Sequence, residues 1–438
     1  MARYVGTRIA EKPKKAAPSR GEEAPRRAAA SGSRSASSRS RVSRSTQRRK
    51  EKLRKRLIRT AVVIVVLVAM YLTVAYSHIP FIEKYRTLYI ETAMGTMSHQ
   101  WLARIIFPKS VVDAVVKNMD KQLSGSMVEE SELPSAPPST APSARPSAAP
   151  GVSPSPEQTA PGLEELLEMF PEIDKSTLPK NLDLVELQIS DVASKGIKTT
   201  AGDAVWAIDM PNQLMILEVK GDGYVGKLAI VRDSSRVSLA ANDLNGQGRK
   251  VANFCSKYGA VLAINASAFP DDNGVGNGAE AYGLLISNGK LKHEAVSNGY
   301  YIMGGFDYDD NFRMGFGLNT SKLRDAMQFY PIVVLNGSSV VTDVYNGLHP
   351  RTLIGQTADK SVLMLVVDGR QVHSLGITLK ECGEILLRYG AYNALNMDGG
   401  SSSSMVYNGK MITKSSSPQQ GGRYLPDAWL VMPPEDTE

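Results

Sequence analysis

Residues 362–400 read VLMLVVDGRQVHSLGITLKECGEILLRYGAYNALNMDGG, and they place one helix between two strand-like apolar runs. The helix is predicted over Thr378–Tyr389, because Thr378 and Glu381 form the T-x-x-E pattern of a capping box. The apolar runs VLMLVV and NALNM have the length and composition of buried strands. This part of the chain therefore predicts a domain that combines strands with a helix.

Outward from this stretch, the chain contains many more short apolar runs separated by turn signals. These runs are predicted to be strands. Together with the two runs above, they are WAIDM, LMILEV, KLAIV, AVLAIN, AYGLLI, PIVVLN, RTLIG, SVLMLVV, NALNM and SSMVY. Asn-Gly pairs that begin at Asn288, Asn336 and Asn408 predict tight hairpins. A second helix is predicted over residues 236–258, with a break near Gly246. Many strands with few helices, not in regular alternation, predict an α+β fold with a mixed β-sheet.

The charge of the chain is unevenly distributed. The whole sequence has 51 Lys and Arg against 44 Asp and Glu, but residues 1–59 alone hold 20 basic and 4 acidic residues, a net charge of +16. Residues 60–438 consequently carry a net charge of −9. The basic character belongs to one short tail, so we expect no nucleic-acid partner. Residues 1–56 have few large apolar side chains, which predicts a disordered basic tail in the cytoplasm.

An apolar segment follows the basic tail. Residues 60–76 contain no charged side chain, and about 20 residues of helix span the hydrocarbon core of a bilayer. We therefore predict a transmembrane helix over residues 57–77. The Lys/Arg block before it predicts a single-pass protein of the cell membrane, with a cytoplasmic N-terminus and an extracytoplasmic C-terminal domain. No clear small-x-small cleavage site follows the apolar run, which favours a signal anchor over a cleaved signal peptide.

Two further segments lie between this helix and the main domain. Residues 78–123 mix aromatic, aliphatic and charged side chains, which predicts a juxtamembrane helical stalk that lies near the bilayer or packs on the later domain. Residues 124–161 are rich in Pro, Ser and Ala, which predicts an extended linker that holds the domain away from the membrane. The composition becomes globular at about Asp183, so residues 183–438 are expected to form the folded domain.

Polar side chains follow several of the predicted strands. Asn265 ends the strand in LAINASAF, and Arg351 follows a proline that would fix its backbone while its planar guanidinium faces a cleft. Asp368 and Arg370 come directly after the apolar run VLMLVV. Asp398 leads into two glycines and four serines, which offer a carboxylate, backbone N–H groups and hydroxyls within one turn. Each cluster alone has a structural explanation, but together they predict one site suited to a sugar phosphate.

Other familiar sites are missing or incomplete in the sequence. It contains no G-x-S-x-G, H-E-x-x-H or P-loop pattern. Acidic loops at Asp271 and Asp307 offer oxygen ligands for calcium, but neither has the Glu that an EF-hand carries at its twelfth position. The metal requirement therefore stays open, and no cofactor is expected. The two cysteines, Cys255 and Cys382, are expected to pack in helices, and their pairing also stays open.

Several of these motifs occur in one order over residues 195–434. They are NASAFPDDNGVGNG, HPRTLIGQT, VVDGRQ, ALNMDGGSSSSM and GGRYLPDAWLV, and this region resembles the phosphodiester glycosidase family. Bacterial members of this kind are often described as exopolysaccharide biosynthesis proteins. The resemblance implies hydrolysis of a glycosyl-1-phosphodiester, such as one of N-acetylglucosamine, in cell-envelope or exopolysaccharide metabolism. The implied partners are a sugar phosphate or an anionic envelope glycan, together with the membrane.

The resemblance also implies roles for individual residues. Asp398 is the first candidate for the catalytic carboxylate, Asp368 is the second, and Arg351 would hold the diester and stabilise the departing charge. Ala268, Ser401 and Ser404 depart from the family pattern, and such changes would alter the loop shape and the substrate. A non-catalytic module that binds or assembles anionic envelope glycans, or a sugar-phosphate transferase, would use the same residues. The residues implied to bind substrate are Asn265, Arg370, Gly399, Gly400, Ser402, Ser403 and Arg423.

Overall fold

The computed structural model describes residues 36–96, 99–125, 162–179, 196–271, 274–296, 301–341 and 347–435. Most of the predicted linker and the first 35 residues lie outside these ranges. The chain divides into two units, Met1–Met70 and Tyr71–Glu438. The helices are α1 (Ala36–Tyr76), α2 (Pro80–Met94), α3 (Gln100–Ile106), α4 (Lys109–Gly125), α5 (Leu163–Met169), α6 (Val251–Tyr258) and α7 (Leu379–Arg388). The strands are β1 (Ala204–Asp209), β2 (Leu214–Gly221), β3 (Tyr224–Val231), β4 (Val237–Ala241), β5 (Leu262–Asn265), β6 (Leu285–Ser287), β7 (Lys290–His293), β8 (Ile302–Asp307), β9 (Phe312–Gly315), β10 (Leu323–Phe329), β11 (Ile332–Leu335), β12 (Ser338–Ser339), β13 (Arg351–Thr357), β14 (Val362–Val367), β15 (Ala391–Asn396), β16 (Met405–Tyr407), β17 (Lys410–Met411) and β18 (Asp427–Val431).

Helix α1 is longer than the transmembrane helix predicted over residues 57–77. It begins at Ala36, so residues 36–56, which we expected to be disordered, are helical. Lys, Arg, Gln and Glu favour helix, and adding residues to an existing helix avoids the cost of nucleation. The segment Thr46–Tyr76 is the one helix in the described ranges that is long and apolar enough to cross a membrane.

Three sheets form the body of the second unit. The largest has eight strands in the order β1-β2-β3-β14-β13-β15-β11-β12. The two smaller sheets have five strands each, in the orders β7-β6-β10-β8-β9 and β17-β16-β5-β18-β4. The α+β class is therefore confirmed. The sheets are more uniform than the mixed sheet that we expected, because every strand pair in the described ranges is antiparallel.

The three predicted Asn-Gly hairpins are all present. They join β6 to β7, β11 to β12 and β16 to β17. Both central residues of each turn have positive φ, for example 50° at Asn288 and 68° at Gly289, as a type I′ turn requires. Asn and Gly adopt this conformation at low energetic cost, which is why the sequence predicts these turns.

The helix predicted over residues 236–258 is wrong in its first half. Val237–Ala241 forms β4 and pairs with β18, and only Val251–Tyr258 forms a helix, α6. The apolar residues of the run VSLAA are compatible with either a helix or a strand. Its conformation is decided by pairing with a strand near the C-terminus. Helix α7 has the predicted capping box, in which the side chains of Thr378 and Glu381 each bond the other's backbone N–H.

The eight-stranded sheet is buried on both faces. One face packs against α5 and α7, and the other packs against the two smaller sheets around Phe306 and Trp429. Leu166 and Phe170, in and just after α5, are fully buried in the first of these cores. The core therefore includes residues that precede Asp183, where the sequence predicts the domain to begin.

Helices α2, α3 and α4 belong to the same unit as the sheets. They bury a small apolar core that includes Ile90 and Phe107. The last turn of α2 contacts the segment before β13, where the N–H of Leu348 donates to Thr92 Oγ1 at 3.0 Å. A Cβ on Gly347 would lie 2.4 Å from the Thr92 nitrogen. The stalk segment thus packs on the domain, and the Pro-rich linker predicted over residues 124–161 lies almost wholly outside the described ranges.

Candidate functional site

The end of β5 places Asn265 beside the segment that carries Asp398. The buried Asn265 side chain donates through Nδ2 to the carbonyl oxygen of Asp398 at 2.7 Å. Its Oδ1 accepts from Thr352 Oγ1 at 2.8 Å and from the N–H of Ser404 at 3.1 Å. One amide therefore fixes the backbone at both ends of the serine-rich loop. These contacts make Asn265 a positioning residue, and substrate binding by Asn265 stays a prediction.

Asp398 follows β15 and lies at the centre of the candidate site. Its N–H donates to the carbonyl oxygen of Ala266 at 3.0 Å, which joins the end of β15 to the end of β5. Desolvation raises the pKa of the Asp398 carboxyl to about 6, although a hydrogen bond from Ser402 and the charge of Arg423 oppose the rise. The residue as a whole is half-buried, and the desolvated part is the carboxyl. Such a carboxyl is suited to proton transfer near neutral pH.

The loop after Asp398 brings small residues together. Gly399 packs against Pro350 so closely that a Cβ on this glycine would lie 2.8 Å from the Pro350 carbonyl oxygen. Ser403 is buried, and its Oγ has no hydrogen-bond partner in the part of the chain that the structure describes. Since buried polar atoms are nearly always satisfied, a ligand or a water is the natural partner for this hydroxyl.

Arg370 lies over the same loop. A Cβ on Gly400 would be only 3.1 Å from Nη1 of Arg370, and Nη2 lies 3.4 Å from Nδ1 of His349. Desolvation lowers the pKa of the guanidinium, and the charge of Asp398 opposes this effect. The residue as a whole is exposed. The structure therefore places the largely desolvated guanidinium of an otherwise exposed residue near the carboxyl of Asp398, an arrangement that suits an anionic ligand.

Arg423 also influences Asp398, but it has a protein partner of its own. Its Nη1 and Nη2 donate to the two carboxylate oxygens of Asp271 at 2.5 and 2.8 Å. Nη2 also donates to the carbonyl oxygen of Gly276 at 3.0 Å, and the guanidinium lies over the ring of Phe269. This buried bidentate pair holds the loop after β5 against the segment before β18. Its contacts explain a structural role, and substrate binding by Arg423 stays a prediction.

Arg351 and Thr352 lie on different faces of β13. Successive side chains of a strand point to opposite faces, and Thr352 bonds Asn265, whereas Leu353 packs in the core beside α7. Arg351 is buried, with Nη2 3.5 Å from the carbonyl oxygen of Gly347. Burial raises the pKa of the Cys382 thiol to about 12, and the Arg351 charge opposes this rise, which places the guanidinium near α7. The structure thus places Arg351 on the α7 face.

Asp368, the second candidate carboxylate, has protein partners on both oxygens. Oδ2 lies 3.0 Å from Nε2 of His373, and Oδ1 accepts from the N–H of Lys414 at 2.8 Å. The carbonyl oxygen of Asp368 accepts from Ser374 Oγ at 2.6 Å. These bonds close the turn that presents Arg370. The geometry favours a supporting role, and the catalytic role stays a prediction.

Asp427 is a carboxylate at the site that sequence reasoning missed. It is fully buried at the start of β18, accepts from the N–H of Ser267 at 2.8 Å, and also bonds the Ser267 hydroxyl. Desolvation raises the pKa of the Asp427 carboxyl to about 7, and the charge of Asp398 adds to the rise. Its sequence context, YLPDAWL, contains no signal that would pair it with Ser267, because the pairing depends on contact between β18 and β5.

Tyrosines form a second group that the sequence did not reveal. The ring of Tyr301 meets those of Tyr282 and Tyr330 at centroid distances of 5.3 and 5.0 Å. Burial raises the pKa of Tyr301, and the Asp398 charge contributes. The Tyr282 N–H donates to the carbonyl oxygen of Ala268 at 2.7 Å, which ties this aromatic cluster to the loop after β5. Only the fold brings these three side chains to one edge of the site.

In the described ranges, which leave out residues 272–273 of the first acidic loop, no group of three or more metal-binding side chains occurs. Asp271 pairs with Arg423, and Asp307 holds the Asn311 amide and Arg313. The two cysteines are buried and not bonded to each other. The pairing that the sequence left open is therefore absent.

Buried Asp427 predicts an unusual pH dependence of stability. Its raised pKa means that the folded state binds more protons than the unfolded state between its ordinary value of 3.8 and about 7. Stability should therefore fall as pH rises through this window, by up to about 1.4 kcal/mol per pH unit from this group. We expect Asp427→Asn to reduce the slope of unfolding free energy against pH, measured by denaturant unfolding of the full chain in detergent.

The matched control for this measurement is Asp243→Asn. Hydrogen bonds from Lys257 and Arg249 lower the pKa of Asp243 to about 2, so this carboxylate titrates below the window. Its substitution should leave the slope unchanged. An Asp427→Asn variant with the parental slope would contradict the prediction.

The candidate site lies within a region that is similar to known proteins. Residues 258–432 match the family model described as phosphodiester glycosidase. An uncharacterized SPbeta prophage-derived protein of Bacillus subtilis is 28% identical over 200 residues, which cover 42% of this chain and 30% of the relative. The N-acetylglucosamine-1-phosphodiester alpha-N-acetylglucosaminidase of Bos taurus is 38% identical over 71 residues, which cover 16% of this chain and 13% of the relative. The matches thus span less than a third of either relative.

Solved structures with weaker similarity were also found. The catalytic domain of zebrafish N-acetylglucosamine-1-phosphodiester alpha-N-acetylglucosaminidase, auto-inhibited by its pro-peptide, is 19% identical with a TM-score of 0.40. The alignment covers 50% of this chain and 82% of that domain. An exported protein of Burkholderia pseudomallei is 17% identical with a TM-score of 0.36, over 48% of this chain and 74% of that protein.

Proposed function

Because the chain carries a domain of the phosphodiester glycosidase family, we propose that the site around Asp398 hydrolyses a glycosyl-1-phosphodiester. The observation that carries this proposal is that the Arg370 guanidinium packs over the loop that follows Asp398, whose buried carboxyl has a pKa raised to about 6. The first group can act on water or on a developing sugar cation, and the second can hold a phosphate. N-acetylglucosamine is the sugar that we propose, in line with the name of the bovine relative.

The proposed reaction breaks the bond between the anomeric carbon and the phosphate oxygen. Asp398, as a carboxylate, accepts a proton from water while the water oxygen bonds to the anomeric carbon. The phosphomonoester leaves with the electron pair of the broken bond, and Arg370 stabilises its charge. A phosphate is a better leaving group than an alkoxide, so a separate acid of high pKa is unnecessary.

The aromatic cluster supports the sugar side of this proposal. Tyr301 lies close enough to Asp398 for that charge to raise its pKa, and the rings of Tyr282 and Tyr330 contact the ring of Tyr301. Aromatic rings offer a large apolar surface with polar tips, which suits the mixed character of a sugar ring. The unsatisfied Ser403 hydroxyl would bond a sugar or phosphate oxygen.

We also propose the cellular setting of this activity. Helix α1 anchors the chain in the cell membrane, with the Lys/Arg-rich side in the cytoplasm and the glycosidase domain outside. The substrate then belongs to the cell envelope or to exopolysaccharide metabolism. The net charge of −9 over residues 60–438 means that phosphate recognition depends on placed arginines rather than on a broad positive field.

The test incubates the full chain in detergent micelles with N-acetylglucosamine-1-phosphate esterified to a small alcohol. Release of free N-acetylglucosamine, followed by chromatography, is the expected result. A new sugar-phosphate conjugate with an added acceptor would instead identify a transferase. Saturable binding without turnover would identify a non-catalytic glycan module, and either of these outcomes overturns the proposal.

A further inference from the structure

The helices after the apolar span expose an unusual set of large apolar side chains. Phe81 and Tyr85 lie one turn apart on α2, and Trp101 and Ile105 lie one turn apart on α3. Phe81 is 70% exposed, Trp101 54% and Ile105 75%. The rings of Phe81 and Tyr85 contact each other at a centroid distance of 4.8 Å. These four side chains, Phe81, Tyr85, Trp101 and Ile105, lie on two helices that pack together, and we call them the aromatic patch.

The composition of this segment fits the interface of a lipid bilayer. Tyr and Trp concentrate where headgroups meet hydrocarbon, and exposed apolar patches mark interaction surfaces. The exposed charged side chains between residues 77 and 109 are Lys84, Arg104 and Lys109 against one acid, Glu83. This excess of positive charge complements anionic lipid headgroups.

Chain continuity identifies the occupant of the patch. Helix α1 ends at Tyr76 and α2 begins at Pro80, so only three residues separate the apolar span from the helix that carries Phe81. If α1 crosses a bilayer, as proposed above, the start of α2 with Phe81 must lie close to the bilayer surface because so short a connection cannot reach farther. A bilayer interface is therefore the partner within reach of these side chains.

The same helix is linked by contacts to the candidate site. The C-terminal turn of α2 bonds Leu348, and Gly95 packs so closely on His349 that a Cβ would lie 2.6 Å from Nε2. His349 in turn lies 3.4 Å from the Arg370 guanidinium that would hold phosphate. The membrane-proximal helix and the phosphate-binding group thus share one neighbour.

The rim of the site is also apolar next to Arg370. Val372 is fully exposed and Leu375 is 58% exposed, on the turn that Asp368 closes. Two solvent-facing aliphatic side chains beside a phosphate-binding arginine suit a ligand with a phosphate and a hydrocarbon chain.

We propose that the aromatic patch lies in the bilayer interface and that the site takes a sugar-1-phosphodiester whose other ester group is a membrane lipid alcohol. This inference rests on the proposed function and narrows its substrate class. The lipid chain would stay in or near the bilayer beside Val372 and Leu375, while Arg370 holds the phosphate and the sugar faces Asp398. Enzyme and substrate are then confined to one surface, which raises their effective concentration.

The first test measures patch insertion without any catalysis. The full chain is placed in vesicles of phosphatidylethanolamine and phosphatidylglycerol whose acyl chains carry bromine, which quenches tryptophan fluorescence at close range. We expect quenching that disappears in Trp101→Phe, since Trp429 is buried and Trp206 is covered by Lys227. Equal quenching in both proteins would overturn the membrane contact. The contact would also be overturned if Trp101 were not quenched and the chain instead formed dimers that are lost when the patch is substituted.

The second test compares two substrates with the same sugar phosphate in the same vesicles. One is esterified to a long-chain prenyl alcohol and the other to ethanol, and we expect kcat/KM to favour the prenyl ester by about tenfold or more. The variant Phe81→Ser with Ile105→Ser should lose most of this preference while its turnover of the ethyl ester is unchanged. The matched control is Val275→Ser with Leu291→Ser, two exposed apolar positions far from the patch in sequence, and it should keep the preference.

The outcomes separate the two proposals. Cleavage of the ethyl ester without preference for the prenyl ester overturns the lipid substrate and leaves the hydrolase intact. Cleavage of neither ester overturns the proposed hydrolase and the lipid substrate with it, and the fluorescence experiment still decides the membrane contact.

Discussion

Substitution of Asp398 by Asn is expected to lower kcat for sugar release by about 10²–10⁴-fold, the usual contribution of a general base. The amide cannot accept a proton from water or stabilise a sugar cation as a carboxylate does. Asn has nearly the same shape as Asp, and the backbone of residue 398 stays held by the Asn265 amide and the Ala266 carbonyl. The loss should therefore appear in kcat with little change in stability.

The matched comparison is Asp368→Asn, which alters the second candidate carboxylate. Both oxygens of Asp368 already accept from protein groups, so its substitution should reduce activity through the Arg370 turn and less severely. Initial rates of sugar release from a sugar-1-phosphodiester decide between them. If Asp368→Asn is inactive and Asp398→Asn is not, the assigned roles are reversed.

The dependence of the hydrolysis rate on pH in the unmodified protein is an independent test of the role of Asp398. Asp398 must be deprotonated to act as a base, and desolvation raises its pKa to about 6. The rate should accordingly rise with pH through about 6 and level off above it. A rate that falls as pH rises through this range would show that the protonated form is the active one.

Substitution of Arg370 is expected to have the second largest effect, about 10²–10³-fold in kcat/KM, by removing a charge that stabilises the departing phosphate. The backbone of Arg370 has φ of 58°, where Ala is strained and Asn is tolerated, so Arg370→Asn is the better test of the side chain. Arg370→Lys keeps the charge but loses the planar pair of donors, and it should recover only part of the activity.

A phosphate readout makes this test specific. Inhibition by a sugar-1-phosphate product should weaken in Arg370→Asn together with kcat/KM, because both depend on the same guanidinium. The comparison variant is Arg423→Lys, since Arg423 is already paired with Asp271 and should affect folding of the loop more than phosphate binding. Unchanged product inhibition in Arg370→Asn would assign the phosphate to another group.

The strands, the Asn-Gly hairpins and the capped helix α7 could be predicted because their signals are local. A type I′ turn needs residues that tolerate positive φ, and a capping box needs Thr and Glu three positions apart, as at Thr378 and Glu381. The prediction over residues 236–258 was wrong in its first half because β4 depends on pairing with β18. No local pattern contains that partner.

The residues of the candidate site could also be predicted only in part. Asn265, Arg370 and Asp398 could be selected because each follows a strand and has a side chain suited to binding or proton transfer. Their partners could not be predicted from sequence spacing. Contacts across the fold pair Arg423 with Asp271, and strand alternation puts Arg351 on the α7 face.

By itself, the sequence determined the strand-rich composition of the domain, its apolar helix and the residue types available for phosphate chemistry, because these follow from local pattern and composition. Only the tertiary structure decided which of those side chains are already bonded to protein, which lie near Asp398, and that α2 packs on the segment before β13. The physical reason is that these properties depend on burial, as the raised pKa values of Asp398 and Asp427 show. Burial depends on neighbours that are distant in sequence and meet only when the chain folds.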